Sequence, residues 1–314
     1  MAAPSNINSP VSKARILIAF AAVYFIWGST YLAIRFSIET IPSLLSGGLR
    51  FFIAGIVLYI FARYVKKEPA AQQKHWQSAF ILGALMLLGG NGCVVLAEHY
   101  VPSGLAALFI ALVPLWMVLL EWWWHKTQRP SLGIFFGIGI GFLGVWLLMA
   151  PNLLHVGAHQ INLFGAALLL LASFSWSIGS LYSRKAHLPK SPFLSTGIQM
   201  IAGGGLMLFL SVFHGEWTHL ASVHLSFKSI AALIYLIVGG SLIALTSYLW
   251  LLKHVGVART STYALVNPVV AIFLGCAFAG EQLDTQTILA AFLVLVAVIV
   301  ITIYHRTPKI VRIT

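Results

Sequence analysis

The sequence predicts an all-α membrane protein, with ten transmembrane helices arranged as two inverted five-helix repeats around a central cavity. Three observations carry this. The 314 residues are 60% hydrophobic and only 8% charged, a composition that would cover a soluble fold with aggregating apolar patches. The apolar residues fall into runs of about 20, the length that crosses a bilayer core. The chain also matches itself at shifts of 149 and 154 residues, placing Trp27 on Trp176 and Pro114 on Pro268.

The spans fall near 16–37, 44–64, 76–96, 102–121, 132–150, 162–182, 193–213, 229–252, 257–279 and 286–304. This divides the chain into an N-terminal tail (1–15), a first repeat (16–150), a linker (151–161), a second repeat (162–304) and a C-terminal tail (305–314). The opening MAAPSNINSPVSKAR is polar and lacks a signal-peptide cleavage pattern, so the first span is expected to remain as a membrane helix.

Lys and Arg alone set the orientation of such a chain. With the N terminus in the cytoplasm, 16 of the 19 basic residues fall on cytoplasmic segments: Lys13 and Arg15, Arg63 to Lys74, Lys126 and Arg129, Arg184 to Lys190, Lys253 and Arg259, and Arg306 to Arg312. Of the rest, Lys228 is in an outside loop, while Arg35 and Arg50 lie within spans. Glu39, Glu98, Glu216, Glu281 and Asp284 lean to the outside. A miscounted span would scramble this separation, so both termini are expected in the cytoplasm. The formal charge of +12 is then mostly a topology signal. Its residues are scattered through short loops and form no nucleic-acid-binding patch.

The repeat supplies the next layer. Shifted by 149, RFFIAG (50–55) lies on QMIAGG (199–204). Five helices per half is an odd number, so the second half must be inverted in the membrane, an architecture typical of transporters with a midplane site. FIALVPLWM (109–117) and YALVNPVVA (263–271) each place Ala-Leu-Val before a proline, Pro114 or Pro268, deep in an apolar span. Proline there removes a helical hydrogen bond, and the freed carbonyl must be satisfied by protein or by water in a cavity. Two breaks at matching depth point to a central cavity; kinks serving only packing are the alternative.

Several polar and aromatic residues are candidates for its lining. Arg50 is costly within a span; it suits a substrate carboxylate, or else clamps neighbouring carbonyls. Asn91 and Glu98, seven residues apart, are expected on one helix face. Glu98 is a candidate for proton coupling or a solvated loop carboxylate. Trp27 and Trp176 lie inside spans, away from the interfacial belt where tryptophan concentrates. With Thr30, Tyr31, Ser241, Tyr248, Thr260, Tyr263 and Asn267 they fit the aromatic walls and few polar anchors of a solute pocket. Asn267, pushed from helical geometry by Pro268, is expected to present its amide to the cavity.

Other chemistries lack support. Cys93 and Cys276 lie in apolar runs and read as buried hydrophobes. His155, His159, His214, His219 and His224 are loop residues without zinc-site spacing. Gly139, Gly141 and Gly144 spell GxGxxG, but in mid-span. With Gly133 and Gly137 they read as a helix-packing face rather than a dinucleotide site.

WGSTYLAIR (27–35), GGNGCVVLAEHYVPSGLAAL (89–108) and YALVNPVVAIFLGCAFAGEQL (263–283) resemble the ten-helix EamA-type transporters of the drug/metabolite transporter superfamily, in particular its YedA-like bacterial inner-membrane proteins. The likeness covers residues 16 to 304. It implies a basket-like bundle around a central pocket, an inner-membrane location and export of amino acids or other small metabolites. It also implies a shared arginine at position 50. The Gly-Glu that such proteins carry after the ninth helix is present as Gly280-Glu281, whereas the equivalent first-half position is Thr127.

The expected function is therefore a secondary transporter working by alternating access on a small-molecule substrate within the lipid bilayer, without cofactor or metal. No GxxxxGK[ST] motif appears, so a gradient, of protons for example, or exchange would drive it. A membrane-embedded enzyme acting on lipid or isoprenoid substrates would need clustered acids and histidine in mid-membrane. A passive channel would show flux without saturation or coupling. Nothing in the sequence fixes an oligomeric state.

Overall fold

The computed structural model describes residues 12–125, 130–154, 162–220, 224–255, 260 and 262–304. Nine helices within them are long and apolar enough to cross a membrane: α1 (Lys13–Ser37), α2 (Ser43–Val65), α3 (Gln73–Ala97), α4 (Ser103–Trp124), α5 (Leu132–Met149), α6 (Leu163–Ser183), α7 (Pro192–Phe213), α8 (Phe227–Leu251) and, last, α10 (Thr285–Tyr304). Between α8 and α10, the apolar helix α9 (Tyr263–Ala279) is shorter. The expected start of that span, at 257, lies outside the described residues, as do residues 155–161 of the linker, the C-terminal tail, Thr127, His155 and His159; residues 151–154, expected in the linker, instead continue the fifth helix to Leu154. Large apolar side chains cover the outside, with Phe273 and Phe278 each 68% exposed, as a helix bundle solvated by lipid requires. Below, the near end is the end of the bundle where α1 begins; the far end is opposite.

The helix contacts obey an exchange of the two halves, in which α1 to α5 become α6 to α10. Contacts α2–α7, α4–α9 and α5–α10 map onto themselves, while α1–α8 maps onto α3–α6, and α1–α9 onto α4–α6. The α2–α7 crossing shows why small residues are needed. A Cβ on Gly55 would stand 2.7 Å from the Ile201 amide nitrogen and 2.9 Å from the Gly197 carbonyl. Backbones approach this closely only where side chains vanish. The glycine row of α5 works similarly: Gly137 faces Ile301 and Val300, and Gly144 faces Val294, all on α10. Of the GxGxxG glycines, Gly141 and Gly144 join this packing face, whereas Gly139 meets nothing within 4 Å.

Two irregularities position the pocket. α3 and α8 each contain a ten-residue π-helical stretch, Gly83–Gly92 and Leu236–Leu245, which coincide at a shift of 153 (236 − 83). π-turns often accompany functional sites because they disturb the regular bonding ladder. α4 is interrupted by a turn at 111–112, between Ser103–Ile110 and Val113–His125, immediately before Pro114. Pro268 differs from the expectation of a helix break: α9 runs through it without interruption from Tyr263 to Ala279. Pro268 is the sixth residue of the described helix, so its missing N–H costs a single bond near the start.

Candidate functional site

The π-stretches of α3 and α8 face α1, α2, α6 and α9 around a central pocket with about 690 Å³ of empty space, its part open to solvent included. Its walls are aromatic and apolar: Trp27, Tyr31, Trp176 and Tyr263, then Phe51, Leu87, Val94 and Ile110. Thr30, Arg50, Asn91 and Asn267 are the polar lining. Ile110 is the last residue before the α4 turn, which ties that interruption to the cavity.

The aromatic residues form one interlocked group. Trp27 lies edge-on to Trp176, with centroids 6.4 Å apart, and to Tyr263 at 5.3 Å, and it also meets Tyr248 at 4.9 Å. The two tryptophans related by the repeat thus meet at its centre. Trp27 Nε1 donates to the Gly240 carbonyl in the α8 π-stretch at 3.1 Å. Tyr248, expected in the lining, stands behind it and supports Trp27 and Tyr263.

Arg50 is 4% exposed. Its Nε donates to Ser241 Oγ at 3.0 Å, and its guanidinium lies 4.7 Å from the centre of the Phe51 ring. Among the described residues it has no carboxylate at ion-pair distance. The guanidinium has space because residue 240 is glycine: a Cβ there would come within 2.7 Å of Nη2. A buried cation held by a hydroxyl and a ring, and facing a pocket, can accept an anionic group in bidentate fashion.

Asn267 lines the pocket, but its amide is already engaged, which corrects the expectation of a free amide. In the orientation that satisfies its surroundings, its nitrogen donates to the Tyr24 carbonyl at 3.1 Å and lies 3.3 Å from the Val23 and Tyr263 carbonyls. Val23 and Tyr24 belong to a π-turn of α1, Ala22–Ile26. Asn267 therefore ties α9 to an irregular turn of α1. Asn91 Nδ2 reaches the Met86 carbonyl of its own helix at 3.4 Å.

Glu98 is not solvated. It is 3% exposed, and both carboxylate oxygens are buried without a hydrogen-bond partner. It does not share the pocket lining with Asn91: Asn91 sits within the π-stretch Gly83–Gly92, whereas Glu98 lies just past the α-helical end of α3, Cys93–Ala97. Burial pushes its carboxyl well above the usual range, helped by the nearby charge of Glu281 and opposed by Arg35, by Arg50 and by the Arg35 backbone. The next residue, His99, bonds to Ser43, and burial lowers its basicity against the opposing pull of Glu216.

Sequence reasoning noted Gly280-Glu281 without a role for it. Gly280 takes φ +65°, a left-handed turn that glycine adopts freely, and Glu281 N–H returns to the Gly275 carbonyl at 3.1 Å. The carboxylate then caps the start of α4: Oε1 accepts from Ser103 N and Ser103 Oγ, both at 2.8 Å, and Oε2 from Gly104 N at 3.1 Å. Arg35 Nη1 lies 3.6 Å from the same Oε1. Glu216 does likewise for α2, accepting from Leu44 N and Leu45 N. Both carboxylates were legible only as outside acids.

The EamA-like transporter family matches residues 14–150 and 163–303, one repeat in each half. This chain belongs to that family. Within the family, it is 36% identical over 288 residues to the uncharacterized inner membrane transporter YedA of Escherichia coli (strain K12), covering 91% of this chain and 90% of that one. The uncharacterized transporter YoaV of Bacillus subtilis (strain 168) is 25% identical over 89% of this chain and 94% of its own. A WAT1-related chloroplastic protein of Arabidopsis thaliana is 24% identical over 88% of this chain and 66% of its own. A solved crystal structure with 20% sequence identity matches at a TM-score of 0.62, covering 92% of this chain and 98% of that one. It shares the fold. The repeats of this EamA-like chain carry the α1–α10 exchange, the paired π-stretches and the pocket between them.

Proposed function

We propose that this chain is a secondary transporter of the bacterial inner membrane. It exports a small organic solute with an anionic group, such as an amino acid or another small metabolite, by alternating access, driven by a gradient or by exchange. The observation that carries this reading is Arg50: a buried guanidinium without a carboxylate partner among the described residues, in the wall of an aromatic pocket at the junction of the two halves. Arg50 anchors the anionic group. Trp27, Tyr31, Trp176 and Tyr263 enclose the apolar body, and Asn91 contributes a polar contact. Tyr248 and Asn267 hold the walls in place. The repeats 16–150 and 162–304 rock against each other, with the α4 turn before Pro114 as the yielding segment. The name of the Escherichia coli relative supports the membrane assignment, and the basic loops support cytoplasmic termini.

The test compares metabolites in the medium of cells with and without the protein, then measures flux of the enriched compounds in proteoliposomes. Saturable flux that falls in Arg50→Gln and is partly retained in Arg50→Lys supports an anchoring charge. Normal flux in both variants overturns it.

A further inference from the structure

We propose that Glu98 is a proton-binding site, and that its proton and the anionic group at Arg50 are taken up together and cross as a pair. This rests on the reading of Arg50 as an anion anchor. Glu98 ends α3 as a carboxyl group 3% exposed, with neither oxygen hydrogen-bonded. A buried carboxylate without partners is unfavourable, and a proton removes the difficulty.

The groups that face it come from three elements. α1 brings Arg35 and Tyr31, α2 brings Arg50, and the turn after α9 brings Glu281. On its own segment His99 is turned to Ser43. The part of α6 packed on this end of α3, 163–172, carries no titratable side chain. Glu98 thus stands between the pocket, through Arg50 and Tyr31, and the far-end pair of Arg35 with Glu281.

The charges decide the sign of the coupling. With Glu98 ionised, two arginines and two glutamates cancel. With Glu98 protonated one positive charge is left over. Arg35 is held by Glu281 at 3.6 Å, so the excess resides at Arg50. An anion then binds Arg50 more strongly when Glu98 is neutral, and by reciprocity the anion raises the proton affinity of Glu98 by the same factor. The proton enters from water at the open end and leaves with the anion at the other, so the loaded and empty carriers have the same net charge and the crossing is electroneutral; in export the solute's own outward gradient, not proton entry, drives the pair.

The experiment uses the full chain in lipid nanodiscs. Infrared difference spectra between about pH 5 and pH 9 read the protonated carboxyl directly, without any solute. A protonated-carboxyl band that titrates above the ordinary glutamate range and disappears in Glu98→Gln is expected; a band unchanged in that variant overturns the proton site. Binding is then measured with phenylpyruvate, benzoate and L-phenylalanine, carboxylates with apolar bodies. In the wild type, affinity should rise about 5- to 150-fold as pH falls through the Glu98 titration. Glu98→Gln should bind at every pH as the wild type does in acid, and Glu98→Asp should retain the pH dependence with a moved midpoint. A merely structural role for Glu98 would not produce tight, pH-independent binding in the Gln variant. A flat wild-type profile, or a pH dependence that survives Glu98→Gln, overturns the linkage. If no probe binds at any pH, the anion-anchor reading fails along with the linkage, and the proton site is decided by the infrared titration alone.

Discussion

Arg35 and Arg184 occupy equivalent positions in the two repeats, 149 residues apart (184 − 35), and each closes an ion pair at an opposite end of the bundle. Arg35 of α1 lies 3.6 Å from Glu281, just past α9. Arg184, at the end of α6, lies 2.7 Å from Glu121, near the end of α4. Exchange of the halves turns α1 into α6 and α9 into α4, so the equivalent arginines each close a pair, at the far end and at the near end, with carboxylates that are not themselves equivalent.

Weakening one latch should favour opening at its own end. With Cys93 and Cys276 replaced by serine and a single cysteine in place of Ile110, Arg35→Gln should speed labelling by a thiol reagent supplied at the far end, and Arg184→Gln labelling from the near end. Both arginines and Glu121 are partly exposed while Glu281 is buried; at the strength of surface pairs each is worth about 0.2–1 kcal/mol, a shift of about 1.4- to 5-fold in the open population. Equal shifts at both ends in either variant would contradict a gating role.

Glu98 should make stability depend on pH in a defined direction. Its folded-state proton affinity is raised, so the folded chain holds a proton where the unfolded chain has lost it. Its contribution is fully present below the ordinary glutamate value of about 4.3 and is lost as pH rises through the folded value. The melting temperature of Glu98→Gln should match the wild type in acid and exceed it increasingly toward alkaline pH. A gap that widens in acid instead would reverse the assigned shift.

Gly240→Ala should disable the anion site without unfolding the chain. The added Cβ meets Arg50 Nη2 at 2.7 Å and Thr30 Cγ2 at 2.9 Å, both ends of side chains that can yield. Displacing the guanidinium should weaken carboxylate binding about 10- to 150-fold. Gly139→Ala, which meets nothing within 4 Å, serves as the control and should bind normally.

Asn267→Val should lower stability by about 1–3 kcal/mol, the cost of leaving buried carbonyls unsatisfied, because the amide serves the α1 turn at Val23 and Tyr24. A melting temperature equal to wild type, accompanied by lost solute affinity, would return the amide to the pocket.

The topology is checked with single cysteines at Lys67, Lys190 and Lys228 in the same cysteine-free background. An impermeant thiol reagent applied to intact cells should label position 228 alone. Labelling at 67 or 190 in sealed cells would invert the assignment.

The helices were legible because the bilayer imposes their length and composition, and the pairing of Trp27 with Trp176 because the repeat brings matching positions to one axis. Of the residues named for the pocket, Ser241, Tyr248 and Thr260 stand outside its lining, Ser241 and Tyr248 bonding or packing against residues that line it. The misreadings share a cause in backbone irregularity and tertiary cover. Seven-residue spacing implies one face only in a regular α-helix, and Asn91 lies inside the π-stretch Gly83–Gly92 while Glu98 caps the helix end beyond it. Burial of Glu98 depends on neighbouring helix ends, to which local polarity is blind. The engagement of Asn267 answers a π-turn in α1 that no residue pattern announces. The difference between Pro114 and Pro268 also arises outside their matching lead-ins.

The crossing of α2 and α7 constrains how the two halves could diverge. Gly55 packs on Gly197 and Gly48 on Gly204, and exchanging the halves turns one contact into the other. A residue beside the axis must therefore fit its own image, and a larger side chain on either helix meets backbone that has no room to retreat. Away from the axis this bond between the halves loosens: Arg50 answers to Gln199. Ancestral sameness persists at the pivot, while the chamber beside it is free to become lopsided, with a cationic wall facing a neutral one. Such a chamber can hold a head-to-tail molecule in one orientation, which a perfectly twinned carrier could not do.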